Sequence, residues 1–243
     1  MAELEPTRFF VVHLQKTAGT SLRDRFRATF ENDSVYPNKT DGPVGHAVIS
    51  LSHLLERWQT RRDGLRLIAG HFPLSTVDLL DAEFVTLSVL RPVVDRTLSY
   101  LRHQQKLNTD DRARSLEEIY DDPFRFRGLI RNHMTRMFSI SAEEMVPGDG
   151  VLTDVVDSRD RLERAKEGLA SLDAFGLQPR FEELWKEIAD RFGLVLGSPV
   201  RSNVTTAGAE VPDRLVERIL EDNALDLELY DYAERLYEDR ATR

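Results

Sequence analysis

The segment HLQKTAGTSL, residues 13–22, gathers one lysine, one glycine and three hydroxyl side chains between an apolar run and an amphipathic stretch. A strand that turns tightly into a helix leaves the first backbone N–H groups of that helix without partners. Together with the helix dipole they favour an anion such as phosphate or sulfate. Lys16 adds a cation to such a loop, Thr17 a hydroxyl donor, and Gly19, Thr20 and Ser21 the start of the helix. The familiar ATPase loop, GxxxxGK[ST], places its lysine after the glycines. Here Lys16 precedes Gly19, and residues 1–18 contain no glycine. Nor does an apolar strand end in a metal-binding aspartate, because FVTLSVL, residues 84–90, runs into Arg91. An ATP-dependent phosphotransferase is therefore the weaker reading of the loop.

Arg91 stands at the C-terminal end of a predicted parallel strand, the edge at which open α/β sheets bind ligands. Pro92 pushes it toward extended geometry, so it continues outward along the strand. Ser99 lies eight residues on, about two turns into the following helix. Both reach one phosphate only if that helix folds back beside the strand. Two anion sites at two strand ends suit a ligand with phosphates at both ends. His71, in IAGHFP, follows another predicted strand at the same edge, where an imidazole serves as base toward an alcohol. The competing reading is a half-buried histidine that fixes the turn before Pro73. His13 competes for the role of base but falls inside the first predicted strand, which favours a structural part. His103 is expected to face solvent, and Arg96 to brace the fold or touch ligand with equal warrant.

These residues need a scaffold. RFFVVHL (8–14), RLIAG (66–70), FVTLSVL (84–90) and AFGLQ (174–178) are apolar runs of strand length, as in a buried parallel sheet. Leu22, Phe26 and Phe30 recur at four-residue spacing on one face of a helix whose natural N-cap is Thr20 or Ser21. Further helices are predicted from Ser52, from Pro92 at its first position, from the capping box of Ser115 and Glu118, and over 126–138 and 159–172. PRFEELWKEIADRFG has Pro179 just inside its start and Gly193 after its end, and residues 213–239 hold one or two more helices. Alternation of strands and helices predicts an α/β fold: a single P-loop-like domain over residues 1–243, with a central, mostly parallel sheet flanked by helices.

Bulk properties narrow the partners. The net charge is −9, which argues against nucleic acid as a partner. Basic islands at 91–106 and 125–136 suit a local anion site instead. No apolar run approaches a membrane span, no secretory leader opens the chain, and there is no cysteine. A cytoplasmic location is the expectation. Oligomeric state is open.

HLQKTAGTSL resembles the 5′-phosphosulfate loop, H-(I/L)-(P/Q)-K-T-(G/A)-G-T, of the carbohydrate sulfotransferases that use 3′-phosphoadenosine 5′-phosphosulfate (PAPS). LRPVVDRTLSYLRH resembles their 3′-phosphate motif, with the Arg91-to-Ser99 spacing kept, although Arg-Pro-Val replaces the usual Arg-Asp-Pro. RNHMTRMFS (131–139) and DNALDLELYDYAERLY (222–237) are similar to later helices of the family, and the wording is closest to its heparan sulfate 6-O-sulfotransferase subgroup. The resemblance implies transfer of a sulfuryl group from PAPS to a hydroxyl of a carbohydrate or glycolipid acceptor, leaving PAP. His71 is then the base and Lys16 stabilises the departing phosphate. Thr17, Gly19, Thr20, Ser21, Arg91 and Ser99 hold the nucleotide, and no metal is called for. It also places Arg136 on the nucleotide, in preference to Arg131, against the alternative of an ion pair. The segment Arg201, Ser202 and Asn203 is read as lying near the nucleotide end. Tyr36–Gly45, Leu107–Phe124 and Phe138–Asp154 are expected to set acceptor choice. A non-catalytic nucleotide-binding module is the third possibility; it gives His71 no role.

Overall fold

The computed structural model describes residues 7–152, 154–195 and 211–241; Arg201, Ser202 and Asn203 lie outside them. Its principal elements are β1 (Phe9–Val12), α1 (Gly19–Arg27), β2 (Val35–Tyr36), α2 (Leu51–Arg61), β3 (Leu67–Ile68), β4 (Val85–Leu90), α3 (Val93–Leu107), α4 (His133–Ser139), α5 (Arg159–Ala170), β5 (Ala174–Leu177), α6 (Phe181–Phe192), α7 (Asp213–Asp222) and α8 (Ala224–Ala241). The strands form one sheet in the order β2-β3-β1-β4-β5, with every neighbouring pair parallel. The α/β architecture expected from the sequence is therefore present, with the two-residue strand β2 as an addition. No described helix is long and apolar enough to cross a membrane.

The continuous apolar strands are explained by helices on both faces. Phe10 and Val12 point into one buried cluster with Leu54, Trp58 and Leu101. Phe9 and Val11 point the other way, onto Leu22, Phe26 and Trp185. Successive strand residues alternate faces, so a strand covered on both sides must be apolar throughout. Each such side chain contributes about 1.5–3 kcal/mol when fully buried. Phe26 meets Phe9 at a ring-centroid distance of 4.9 Å and Trp185 at 5.3 Å, which ties α1 and α6 to β1.

Order within the sheet decides where a ligand can sit. β1 lies between β3 and β4; its own connection crosses β3 to reach β2, while that of β4 runs the opposite way to β5, so the connections diverge between β1 and β4. The ends of β3, β1 and β4 are neighbours, and they carry His71, the 13–18 loop and Arg91. The register fixes their level: Phe10 pairs with Ile68 and with Thr86, so the same offset carries His13 to His71. A crevice at such a reversal is the usual ligand position in an open α/β sheet.

Several boundaries differ from the sequence reading. α1 begins at Gly19 behind an N-cap at Ala18 that has left-handed φ of 78° and offers no side-chain cap; Thr20 and Ser21 sit inside the first turn. Ser50, not Ser52, caps α2 by accepting from the His53 N–H. Pro92 is the N-cap of α3 and not its first residue. The helix predicted over 126–138 is interrupted. Phe126–Ile130 forms a π-helical turn, Arg131 is extended, and Asn132 adopts left-handed φ of 45° before α4 starts. Long-range bonds enforce the break. Asn132 N–H donates to Asn223 Oδ1, and Asn132 Oδ1 accepts from the N–H groups of Leu225 and Asp226. In return the Asp226 carboxylate accepts from the N–H groups of Met134 and Thr135. Each helix start thus caps the other, satisfying buried donors that neither supplies for itself.

Candidate active site

The loop after β1 is held open by backbone and not by side-chain caps. Lys16 and Ala18 both take left-handed φ, 66° and 78°, in a region that costs a residue with a Cβ about 1 kcal/mol or more. Alternation of left- and right-handed residues turns successive N–H groups toward one concavity, as in anion-binding nests. Thr17 does not face it: its hydroxyl is buried and donates to Leu14 O at 3.0 Å, which locks the turn. The expected ligand role of Thr17 is thereby replaced by a structural one. Arg91 closes the loop from the side, with Nη1 donating to Lys16 O at 3.2 Å, while its Nε is buried without a partner.

Lys16, Gly19, Thr20, Ser21, His71, Arg91 and Ser99 all line one cavity of about 620 Å³. That volume falls in the range of ordinary small-molecule sites. Lys16 has no carboxylate partner among the described residues. Burial lowers its pKa, and the nearby Arg91 and Lys106 charges lower it further. Arg91 shifts in the same direction, chiefly through burial. Two cations thus crowd together, partly desolvated, with Asp95 acting on Arg91 from outside the cavity and no carboxylate among the described lining residues, an arrangement that favours an anion between them.

His71 stands beside them. Its Nδ1 lies 2.7 Å from the carbonyl oxygen of His13. A carbonyl only accepts, so Nδ1 carries the hydrogen and Nε2 of the neutral ring keeps its lone pair. Burial lowers the His71 pKa below its ordinary 6.5; the bond to His13 O opposes this, and Arg23 and Lys16 add to it. The ring is thus neutral at pH 7, as a base must be.

Three more imidazoles border the cavity, and the sequence reading assigned none of them a ligand role. His13 lies just past β1, buried, with its ring 4.5 Å from that of His71. It occupies the space that Gly19 leaves: a Cβ at Gly19 would fall 1.9 Å from His13 Cδ2. His103 shares the cavity-facing side of α3 with Ser99; the i, i+4 spacing was the available signal. His133 opens α4, is 2% exposed, and its Nδ1 lies 3.2 Å from Gly128 O. Its Nε2 is buried with no hydrogen-bond partner.

Arg136 is not at the cavity. It is 3% exposed, with Nε and Nη2 on the Asp157 carboxylate at 2.8 and 3.0 Å and Nη1 on the carbonyls of Arg127 and Leu152. Arg131 pairs with the same carboxylate at 2.9 Å. The residue expected on the nucleotide therefore braces the loop before α5, with four of its five N–H donors committed there. Arg96 is likewise structural, fully buried and donating to Leu129 O and Ile130 O. Of the three stretches expected to govern the acceptor, 36–45 stays away from the cavity. Val48 and Ile49 line it instead, together with Phe124 and residues 150–152. Asp149 joins these walls by accepting from Ser50 Oγ at 2.8 Å and from Ser52 N–H at 2.5 Å.

Comparison with known proteins agrees with the resemblance of the two motifs. The chain is 29% identical over 189 residues to human heparan-sulfate 6-O-sulfotransferase 1, an alignment covering 65% of this chain and 44% of the relative. The chain thus spans less than half the length of that relative. A crystal structure of a sulfotransferase from Alicyclobacillus acidocaldarius covers 93% of this chain and is itself covered over 95%, with 16% identity and a TM-score of 0.46. No family model matches the chain.

Proposed function

We propose that this chain, similar in sequence to a sulfotransferase, is a single-domain enzyme that transfers a sulfuryl group from PAPS to a hydroxyl of a carbohydrate or glycolipid. The observation that carries the reading is the pair of cations, Lys16 and Arg91, on one cavity wall beside a neutral imidazole whose Nε2 lone pair is available. The loop N–H groups, Thr20, Ser21 and Lys16 suit the 5′-phosphosulfate; Arg91 and Ser99, at the next strand end, suit the 3′-phosphate.

The chemistry follows from these positions. His71 Nε2 takes the proton of the acceptor hydroxyl as that oxygen attacks sulfur. The new S–O bond forms in line with the one that breaks, between sulfur and the 5′-phosphate oxygen. Negative charge collects on the departing phosphate, and Lys16 with the loop amides stabilises it there. The lowered pKa of Lys16 reflects a partly dry site, where its charge acts more strongly than in water.

Thermal shift with PAP, and with ADP plus magnesium, tests the reading on the native chain and on Lys16→Ala. Stabilisation by PAP that is lost in the variant is the expected result. A preference for ADP with magnesium, or no response to either, refutes it.

A further inference from the structure

The cavity has two chemically different ends. Its lysine and arginine, Lys16 and Arg91, stand together at the 13–18 loop, and no aspartate or glutamate is among its described lining residues. Around His71 the wall is apolar. His71 N–H donates to Val48 O at 2.6 Å, which sets Val48 and Ile49 beside the base. Leu129, Met137, Val151 and Leu152 also line the cavity. Ile49 and Val151 are large apolar side chains left 43% and 39% exposed, on segments that run close together, since a Cβ at Gly150 would lie 3.2 Å from Ile49 O. Apolar side chains that line a cavity suit an apolar portion of a ligand.

Into this wall projects His133. Its Nδ1 is committed to Gly128 O, so the buried Nε2 holds an unused lone pair. Burial and the charges of Arg96, His71 and Arg136, opposed only by the Gly128 bond, hold its pKa well below 6.5. The ring is therefore a neutral acceptor, fit for a hydroxyl and unfit for a carboxylate or sulfate. A buried polar atom left unpaired costs about 1–3 kcal/mol, which a ligand hydroxyl would recover.

Resting on the sulfotransferase reading above, we infer that the acceptor is an uncharged alcohol or glycoside joined to an apolar body, and not an anionic polysaccharide. Its reacting hydroxyl lies at His71, a second hydroxyl donates to His133 Nε2, and its apolar portion leaves over Ile49 and Val151. A sulfated polysaccharide would need cations along its track. Among the described lining residues Lys16 and Arg91 are the only lysine and arginine, and the chain carries a net charge of −9.

The test presents the full chain with labelled PAPS and either octyl β-D-glucoside or heparan sulfate, after PAP affinity has been measured separately by calorimetry. Transfer to the glucoside in preference to the polysaccharide is expected. Ile49→Ser and Val151→Ser, exposed positions that spare the core, should each raise the KM for the glucoside by about tenfold with PAP affinity unchanged. PAP binding with transfer to heparan sulfate, or to neither acceptor, overturns the inference and leaves the nucleotide site standing. An unchanged KM in both variants also overturns it. Failure to bind PAP would instead sink the sulfotransferase reading on which it rests.

Discussion

Replacing Gly19 by alanine should disturb the His13 ring before it disturbs any bound anion. In most phosphate loops a glycine lets the backbone approach the anion. In this chain the nearest atoms to a Cβ at Gly19 all belong to His13, at 1.9, 2.4 and 2.7 Å. Ordinary contact begins at 3.4 Å, so Gly19→Ala requires the His13 ring to shift by about 1.5 Å. That ring packs on His71, and the His13 carbonyl orients the His71 ring. Overpacking of this kind costs about 1–3 kcal/mol, or a melting temperature lower by roughly 2–12 °C for a chain of this size. Gly19 has no positive φ among its constraints, and it opens a helix. With His13→Ala in place, Gly19→Ala should therefore be neutral, or stabilising by up to about 1 kcal/mol. A double-mutant cycle read by thermal melting in the absence of ligand measures this coupling. Equal costs of Gly19→Ala in the two backgrounds would show that ring packing is not the reason for the glycine.

Other expectations follow from named contacts. Arg136→Met strips a partly buried carboxylate of its main partner. Asp157 retains Arg131 and Asn132, so the loss should sit at the lower end for a buried pair, about 3 kcal/mol. Arg131→Met, at an exposed partner, should cost under about 1 kcal/mol; a weakened PAP affinity in folded Arg136→Met would return that residue to the nucleotide site. His71→Asn should lower transfer by about 10²–10⁴-fold while PAP affinity holds, as rate assays and calorimetry would reveal together. Because the His71 pKa is lowered, transfer should stay level through neutral pH and fall only as pH drops below 6.5. Stability should move with the same sign. His13, His71, His103 and His133 all have pKa values below 6.5 in the fold, so the unfolded chain takes up their protons first. Their contribution is complete above that pH and declines as the solution is acidified. Melting from about pH 7.5 to about pH 5.5 should slope less steeply in His133→Gln than in the native chain.

The strands were legible because a parallel strand buried on both faces must be apolar at every position, and Phe9–Val12 and Val85–Leu90 are. That Lys16, Arg91 and Ser99 border one cavity was legible because strand ends and helix starts put residues at fixed places along the chain. The capping box of Ser115 and Glu118 was equally local, and it is present. His103 could have been found from Ser99 by helical spacing alone.

The rest depended on contacts between distant segments. Nothing within RNHMTRMFS announces that Asn132 breaks the helix; that break is fixed by Asn223, Leu225 and Asp226, more than ninety positions on. The same exchange makes sense of the Asn223 and Asp226 spacing, which as sequence was only a motif. Arg136 looked like a ligand residue because a guanidinium suits a phosphate and a carboxylate equally. Which anion it meets was decided when Asp157 folded onto it. His13 and His71 lie 58 residues apart and meet because sheet register sets them level. The sequence alone determined the layers and the strand-to-helix loop before α1, since these rest on local periodicity and backbone geometry. Only tertiary structure assigned each polar side chain to the fold or to the cavity, because a buried donor or acceptor takes its partner from whichever segment packs against it.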